Sequence, residues 1–173
     1  GILGEHATFY VEGDCVSGNP CEDWENGIFE NLEYGIYATS ISSTRYADIR
    51  HTNFTENFRG VYLGGMTSPR VTSNKFYFNI PAAEQGYGLY LDESTGYHIE
   101  DNLFEKSTGG ENPTGIGMIV NESGGDPNEI YLNVFNYVEN AINVQGKNRN
   151  GKNPKEGLVL KCNDYHETVA DET

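Results

Sequence analysis

Apolar and polar positions alternate along this chain in short bursts, not in helical periods. The stretch GLYLDESTGYHIEDNLF, from Gly88 to Phe104, contains both forms of the pattern. One is Gly-apolar-x-apolar. The other is apolar-x-x-Asn-x-aromatic. The first recurs as GIYA from Gly35, GVYL from Gly60, GMIV from Gly117 and AINV from Ala141. The second recurs as VTSNKF, IEDNLF, IYLNVF and LKCNDY, with Thr52 in the Asn slot of IRHTNF and a weaker copy in WENGIF. Alternation over four residues, bounded by Gly, Asn and Ser, predicts short strands separated by corners.

The link between the two forms is also regular. Six residues separate Phe29 from Gly35, Phe54 from Gly60, and Phe135 from Ala141. The links Phe76 to Gly88 and Phe104 to Gly117 are longer and rich in turn formers, so they read as loops inserted at one corner. A unit of this kind cannot bury its apolar face alone, whereas stacked units can. Stacking predicts columns of like residues. Ile36, Val61, Leu89, Met118 and Ile142 form one, followed by Ala38, Leu63, Leu91, Val120 and Val144. Ile49, Val71, Ile99, Ile130 and Leu160 form the next, and Phe54, Phe76, Phe104, Phe135 and Tyr165 an aromatic one. Asn74, Asn102, Asn133 and Asn163 occupy a corner, where asparagine tolerates unusual backbone angles and stacked amides can bond along the axis.

These repeats resemble right-handed parallel β-helix proteins of the pectate-lyase-like superfold, and more closely the NosD-type repeat family. The resemblance implies an all-β solenoid of about six coils, with residues 24–166 as the repeat domain. Residues 1–23 would be a cap or incomplete first coil, and 167–173 a polar tail or a continuation into a longer chain. The segment GLVLKCNDY also resembles large secreted surface proteins of Bacteroidetes-type bacteria. The superfold hosts lyases, hydrolases, epimerases, adhesins and stalks, so fold alone fixes no activity.

Composition narrows the field. The net charge of −15 excludes the basic footprint of a nucleic-acid binder, and no apolar run is long enough to span a membrane. Cys15 and Cys21, six apart in CVSGNPC, suit a local disulfide in an oxidising compartment. Cys162 is left over and reads as a small buried apolar residue. The segment Lys147 to Lys155 reads as a solvated loop.

Candidate chemistry lies on the outward columns. Tyr37, Tyr62 and Tyr90 lead one, continued by Ile119 and Asn143. Thr39, Gly64, Asp92, Asn121 and Gln145 form its neighbour, with Glu93 beside Asp92. Arg50, Thr72, Glu100, Tyr131 and Lys161 line another face. A hydrolase needs clustered carboxylates, and a lyase needs carboxylates holding Ca²⁺ beside a base. Neither cluster is present in the columns. Tyrosines side by side suit the faces of sugar rings, with Asp92, Glu93 and Asn121 to orient hydroxyls. The competing reading of the same column is cross-strand stacking that stabilises the sheet.

The sequence therefore predicts a non-catalytic, extracellular or cell-surface β-helix module that binds glycan through Tyr37, Tyr62, Tyr90, Asp92, Glu93 and Asn121. A lyase or epimerase acting on acidic polysaccharide, or a purely structural spacer, are the alternatives. No catalytic residue and no cofactor are assigned. Ca²⁺ is the one ion that acidic loop residues such as Glu111, Asp126 and Glu129 would suit. Expected partners are a glycan or other surface ligand, and further domains or another subunit at a coil end. Nucleic acid and membrane insertion are not expected.

Overall fold

The computed structural model describes residues 1–42, 44–78, 80, 84, 86–107, 115–149, 153 and 156–166. The chain winds through three strands per coil. The first coil contains β1 (Ile2–Glu5), β2 (Phe9–Glu12) and β5 (Gly27–Glu30), with the hairpin β3 (Asp14–Ser17) and β4 (Asp23–Glu25) inserted between the last two. Then follow β6 (Tyr34–Thr39), β7 (Ala47–Arg50) and β8 (Thr52–Thr55), and next β9 (Arg59–Gly64), β10 (Arg70–Thr72) and β11 (Lys75–Phe78). The next two coils are β12 (Tyr87–Asp92), β13 (His98–Glu100) and β14 (Leu103–Lys106), then β15 (Ile116–Asn121), β16 (Pro127–Tyr131) and β17 (Val134–Asn136). The last is β18 (Asn140–Gln145), β19 (Gly157–Lys161) and β20 (Asp164–His166).

Corresponding strands form three sheets of six, each ordered along the axis. β1, β6, β9, β12, β15 and β18 make the first sheet, β2 through β19 the second, and β5 through β20 the third. Neighbouring coils pair in parallel and in register: Val61 faces Leu89, Ile99 faces Ile130, and Phe76 faces Phe104. This is an all-β parallel β-helix. Four inner coils have a neighbour on each side, between a first and a last coil.

The two sequence forms fit one another inside each coil. The aromatic rings from Phe29 to Tyr165 stack with centroids 4.7–5.4 Å apart and planes within 9°. Each inner ring lies against the Gly that opens the Gly-apolar-x-apolar strand of its own coil. A Cβ on Gly88 would sit 2.7 Å from the Phe104 ring and 2.8 Å from the Gly117 carbonyl oxygen. Gly35, Gly60 and Gly117 meet Phe54, Phe76 and Phe135 in the same way. The pattern is therefore steric: a ring fills the space that a side chain would occupy.

The asparagine corner is a buried hydrogen-bond ladder. Asn74 Nδ2 donates to Asn102 Oδ1 (3.0 Å), Asn102 Nδ2 to Asn133 Oδ1 (2.9 Å), and Asn133 Nδ2 to Asn163 Oδ1 (3.0 Å). Each of those oxygens also accepts the backbone N–H of the asparagine one coil earlier. Each amide also donates to a carbonyl of the preceding coil, at Ile49, Val71, Ile99 and Ile130. The expected unusual backbone angle belongs not to the asparagine but to the residue before it. His51, Ser73, Asp101, Leu132 and Cys162 have φ of 46–56°. That left-handed residue turns the chain so that the amide points inward along the axis.

Other details bear on the sequence expectations one by one. Residues 1–30 form a first coil whose β1 and β2 already pair with β6 and β7. The hairpin within it is closed by the Cys15–Cys21 disulfide. Cys162 is exposed, not buried, because it turns the corner of the last coil. Val144, Leu160 and Tyr165 continue the inward columns but are 48%, 44% and 50% exposed, because no coil among the described residues lies beyond them. Most of the two inserted loops (79, 81–83, 85 and 108–114), most of the basic segment (150–152, 154 and 155) and the tail 167–173 lie outside the described residues. Among the described residues no helix is long and apolar enough to cross a membrane.

Gly88→Ala should destabilise the fold by about 1–3 kcal/mol through overpacking against Phe104. Denaturant unfolding measures this, and Phe104→Leu in the same chain should recover part of the loss. Wild-type stability in Gly88→Ala would contradict the steric account.

Candidate functional site

Outward side chains of the first sheet, with the corner preceding it, line a groove of about 540 Å³. Its walls include Tyr34, Tyr37, Arg59, Tyr62, Tyr87, Tyr90, Ile116, Ile119, Asn143 and Gln145, with Glu84 from an inserted loop. Register explains the assembly. Tyr37 faces Tyr62, Tyr62 faces Tyr90, Tyr90 faces Ile119, and Ile119 faces Asn143. A second row pairs Tyr34 with Arg59, Arg59 with Tyr87, and Tyr87 with Ile116.

The tyrosines do not present one flat surface, contrary to expectation. Tyr37 and Tyr62 stack face to face, with centroids 4.8 Å apart and planes at 8°. Their facing surfaces cover each other, so the pair shows edges and hydroxyls to solvent. Tyr90 breaks the ladder, its ring turned 67° from Tyr62 and 83° from Tyr87. All three are half-buried.

Asp92 explains part of this geometry. The Tyr62 hydroxyl donates to Asp92 Oδ2 (2.6 Å) and Asn121 Nδ2 donates to Asp92 Oδ1 (2.8 Å). Both carboxylate oxygens are thus engaged, and Asp92 acts as a bracket that fixes Tyr62. Burial, then the hydrogen bond to Asp92, push the Tyr62 hydroxyl far above the ordinary tyrosine range. Burial does the same at Tyr87 and, to a smaller degree, at Tyr90. Glu93 is exposed at the corner, with φ 48°, and does not line the groove.

Tyr34, Arg59, Tyr87 and Ile116 were not singled out from the sequence. The signal was available: each immediately precedes the Gly of its repeat. The Arg59 guanidinium lies 4.9 Å from the Tyr34 ring centroid and donates to Glu33 Oε1 and the Tyr34 hydroxyl, both at 2.8 Å. The second sheet carries charges, likewise paired. Arg50 bonds Asp48, His98 lies 2.7 Å from Glu100, and Lys161 lies 2.6 Å from Glu129. Lys161 holds the Glu129 carboxyl below the usual range.

The sequence also matches a described family. A family model, "Periplasmic copper-binding protein (NosD)", covers residues 19–159. The chain belongs to the NosD family. No curated protein and no solved structure matches it.

The NosD description names copper, which prefers thiolate, thioether and imidazole donors. All such residues of this NosD-family chain lie among those described. Cys15 and Cys21 are joined to each other, and Met66 and Met118 are buried in the core. His6 accepts the Ile41 N–H, His51 stacks on Trp24 at 4.0 Å, and His98 sits between Glu100 and Glu129. Cys162 and His166 are exposed in the last coil. No group of three or more His, Cys, Asp or Glu that would hold a metal ion exists among the described residues. The donors therefore do not fit a copper centre. Of the carboxylates suggested for Ca²⁺, Glu129 is held by Lys161, Asp126 is exposed, and Glu111 lies outside the described residues.

The tyrosine shifts set an alkaline limit. A hydroxyl whose pKa is raised in the folded state contributes stability that is intact below the unfolded value of about 10 and is lost as pH rises through the folded value. Stability should therefore fall above about pH 10, with tyrosinate absorbance and loss of β circular dichroism rising together. Tyr62→Phe should weaken that dependence. Titration of every tyrosine in the ordinary range with the fold intact would contradict the burial and bracket described here.

Proposed function

We propose that this chain is a rigid, non-catalytic module working outside the cytoplasm, and that its first-sheet groove binds a glycan. The periplasmic description of its family and the Cys15–Cys21 disulfide support the location. The observation that carries the binding reading is the groove itself. It is an open trough along the axis, with Tyr37, Tyr62 and Tyr90 toward the earlier coils and the Asn143 and Gln145 amides at the last coil. A trough with that orientation suits an extended polymer. Because the Tyr37 and Tyr62 faces cover one another, recognition relies on hydroxyls, ring edges and amides, with Tyr90 as the one ring turned out of the stack.

The side chains also favour holding over turnover. Asp92 is committed to Tyr62 and Asn121, and Arg59 to Glu33 and Tyr34. A lyase or epimerase needs such groups free to take and return a proton.

A glycan array, followed by titration of each hit, tests this reading. Tyr90→Ala and Asn143→Ala should each weaken binding by roughly tenfold, the size of a lost hydrogen bond or ring contact. Uronic-acid polymers incubated alongside should remain uncleaved. Appearance of unsaturated product would establish the enzyme instead, and no binding to any glycan would leave the chain a spacer.

A further inference from the structure

Given a glycan in the first-sheet groove, we infer that its sugars are N-acetylated and that Ile116, Ile119 and Asn143 read the acetamido group. The outward rows change character along the axis. Tyr87 and Tyr90 of β12 are followed in register by Ile116 and Ile119 of β15, and Ile119 by Asn143 of β18. All five line the groove. An aromatic rung, an aliphatic rung and an amide thus succeed one another on three neighbouring strands.

The aliphatic rung is the odd one. The same two outward positions hold Tyr34 and Tyr37 in β6, and Arg59 and Tyr62 in β9. Every one of those side chains carries a polar atom. In β15 neither does. Ile116 is half-buried and Ile119 is 6% exposed, so the two form a low apolar floor within a polar trough. A sugar that offers only hydroxyls would lose water there and gain no hydrogen bond in return. A methyl group gains by the same contact.

Asn143 supplies the other half of the match. An acetamido group ends in a methyl and carries an amide N–H and C=O beside it. With the methyl on the isoleucine floor, the amide lies toward β18. There the Asn143 carboxamide can donate to its C=O or accept from its N–H. Asn143 follows Ile119 in the outward row, so it faces the groove and not the direction of coil stacking.

Spacing and charge agree with this ligand. The Tyr37 and Tyr62 rings repeat at 4.8 Å. One pyranose of an extended, equatorially linked chain advances by nearly that length. Successive sugars therefore meet successive strands, and a sugar against Tyr90 is followed by one over the isoleucine floor. The chain's net charge of −15 repels polyanions. Arg59, the one cationic side chain lining the groove among the described residues, is held by Glu33 and Tyr34. A neutral substituent suits such a groove better than a carboxylate.

Calorimetric titration of the purified chain with homologous oligosaccharides of one backbone tests this. The series are cello-oligosaccharides, N-acetylated chito-oligosaccharides and their deacetylated forms, which differ only in a hydroxyl, an acetamido or an ammonium group. The N-acetylated series should bind about tenfold tighter than the hydroxyl series, the size of one seated methyl with one hydrogen bond. Ile116→Ser, with unchanged circular dichroism, should lose that preference and leave the hydroxyl series unaffected. Tyr90→Ala should weaken both series in equal proportion. Equal wild-type affinity for the hydroxyl and acetamido series would overturn the inference while a bound glycan remained. So would tightest binding of the cationic series, or an Ile116→Ser effect shared by both neutral series. Failure of all the series to bind would also overturn it, and the glycan array then decides whether glycan binding itself falls.

Discussion

A ladder of amides, Asn74, Asn102, Asn133 and Asn163, holds the last four coils in register. At the corner between the second and third sheets, each inner asparagine bonds the coil before it and the coil after it. A corner is where a parallel solenoid is weakest, because backbone groups there leave the strand ladders and would be buried without partners. The amide satisfies them from both sides. It also sets a unique pairing, since a slip of one residue would remove every such bond at once and reverse the faces of the strands. The ring columns and the glycine contacts follow from that alignment, and so do the outward rows that make the groove.

The amide ladder, the ring stack and the core columns were legible in the sequence because each is a repeat of identical chemistry at a fixed position. Asn102, Phe104 and Gly88 announce themselves by recurring. The first coil did not, because it has Gly27 in the asparagine slot and a disulfide hairpin in place of a short corner. Its third strand left a trace in the weaker copy WENGIF, and its first two are visible only through their partners. The left-handed corner residues were also hidden. His51, Ser73, Asp101, Leu132 and Cys162 share a backbone angle and no side-chain property.

The groove was half legible. The column of Tyr37, Tyr62 and Tyr90 could be read directly, but the tilt of its rings could not. Ring orientation depends on a hydrogen bond between neighbouring coils, from Tyr62 to Asp92, and on crowding of Tyr90 by Tyr87. Sequence periodicity says which residues are neighbours and nothing about their side-chain torsions. That difference changes the chemistry: a flat stacking platform becomes a rim of hydroxyls and edges. The family relationship fixes the architecture, while the copper in its description finds no matching donor set in this chain.

Amide hydrogen exchange tests the ladder most directly. In the wild type, the N–H groups of Thr52, Asn74 and Asn102 donate to amide oxygens one coil on and should exchange as slowly as neighbouring strand amides. In Asn102→Ala, the Asn74 N–H loses its acceptor and should exchange much faster, while the Asn102-position N–H, still bonded to Asn133, stays protected. If the Asn74 amide kept its protection in that variant, the corner would be held by something other than the asparagine ladder.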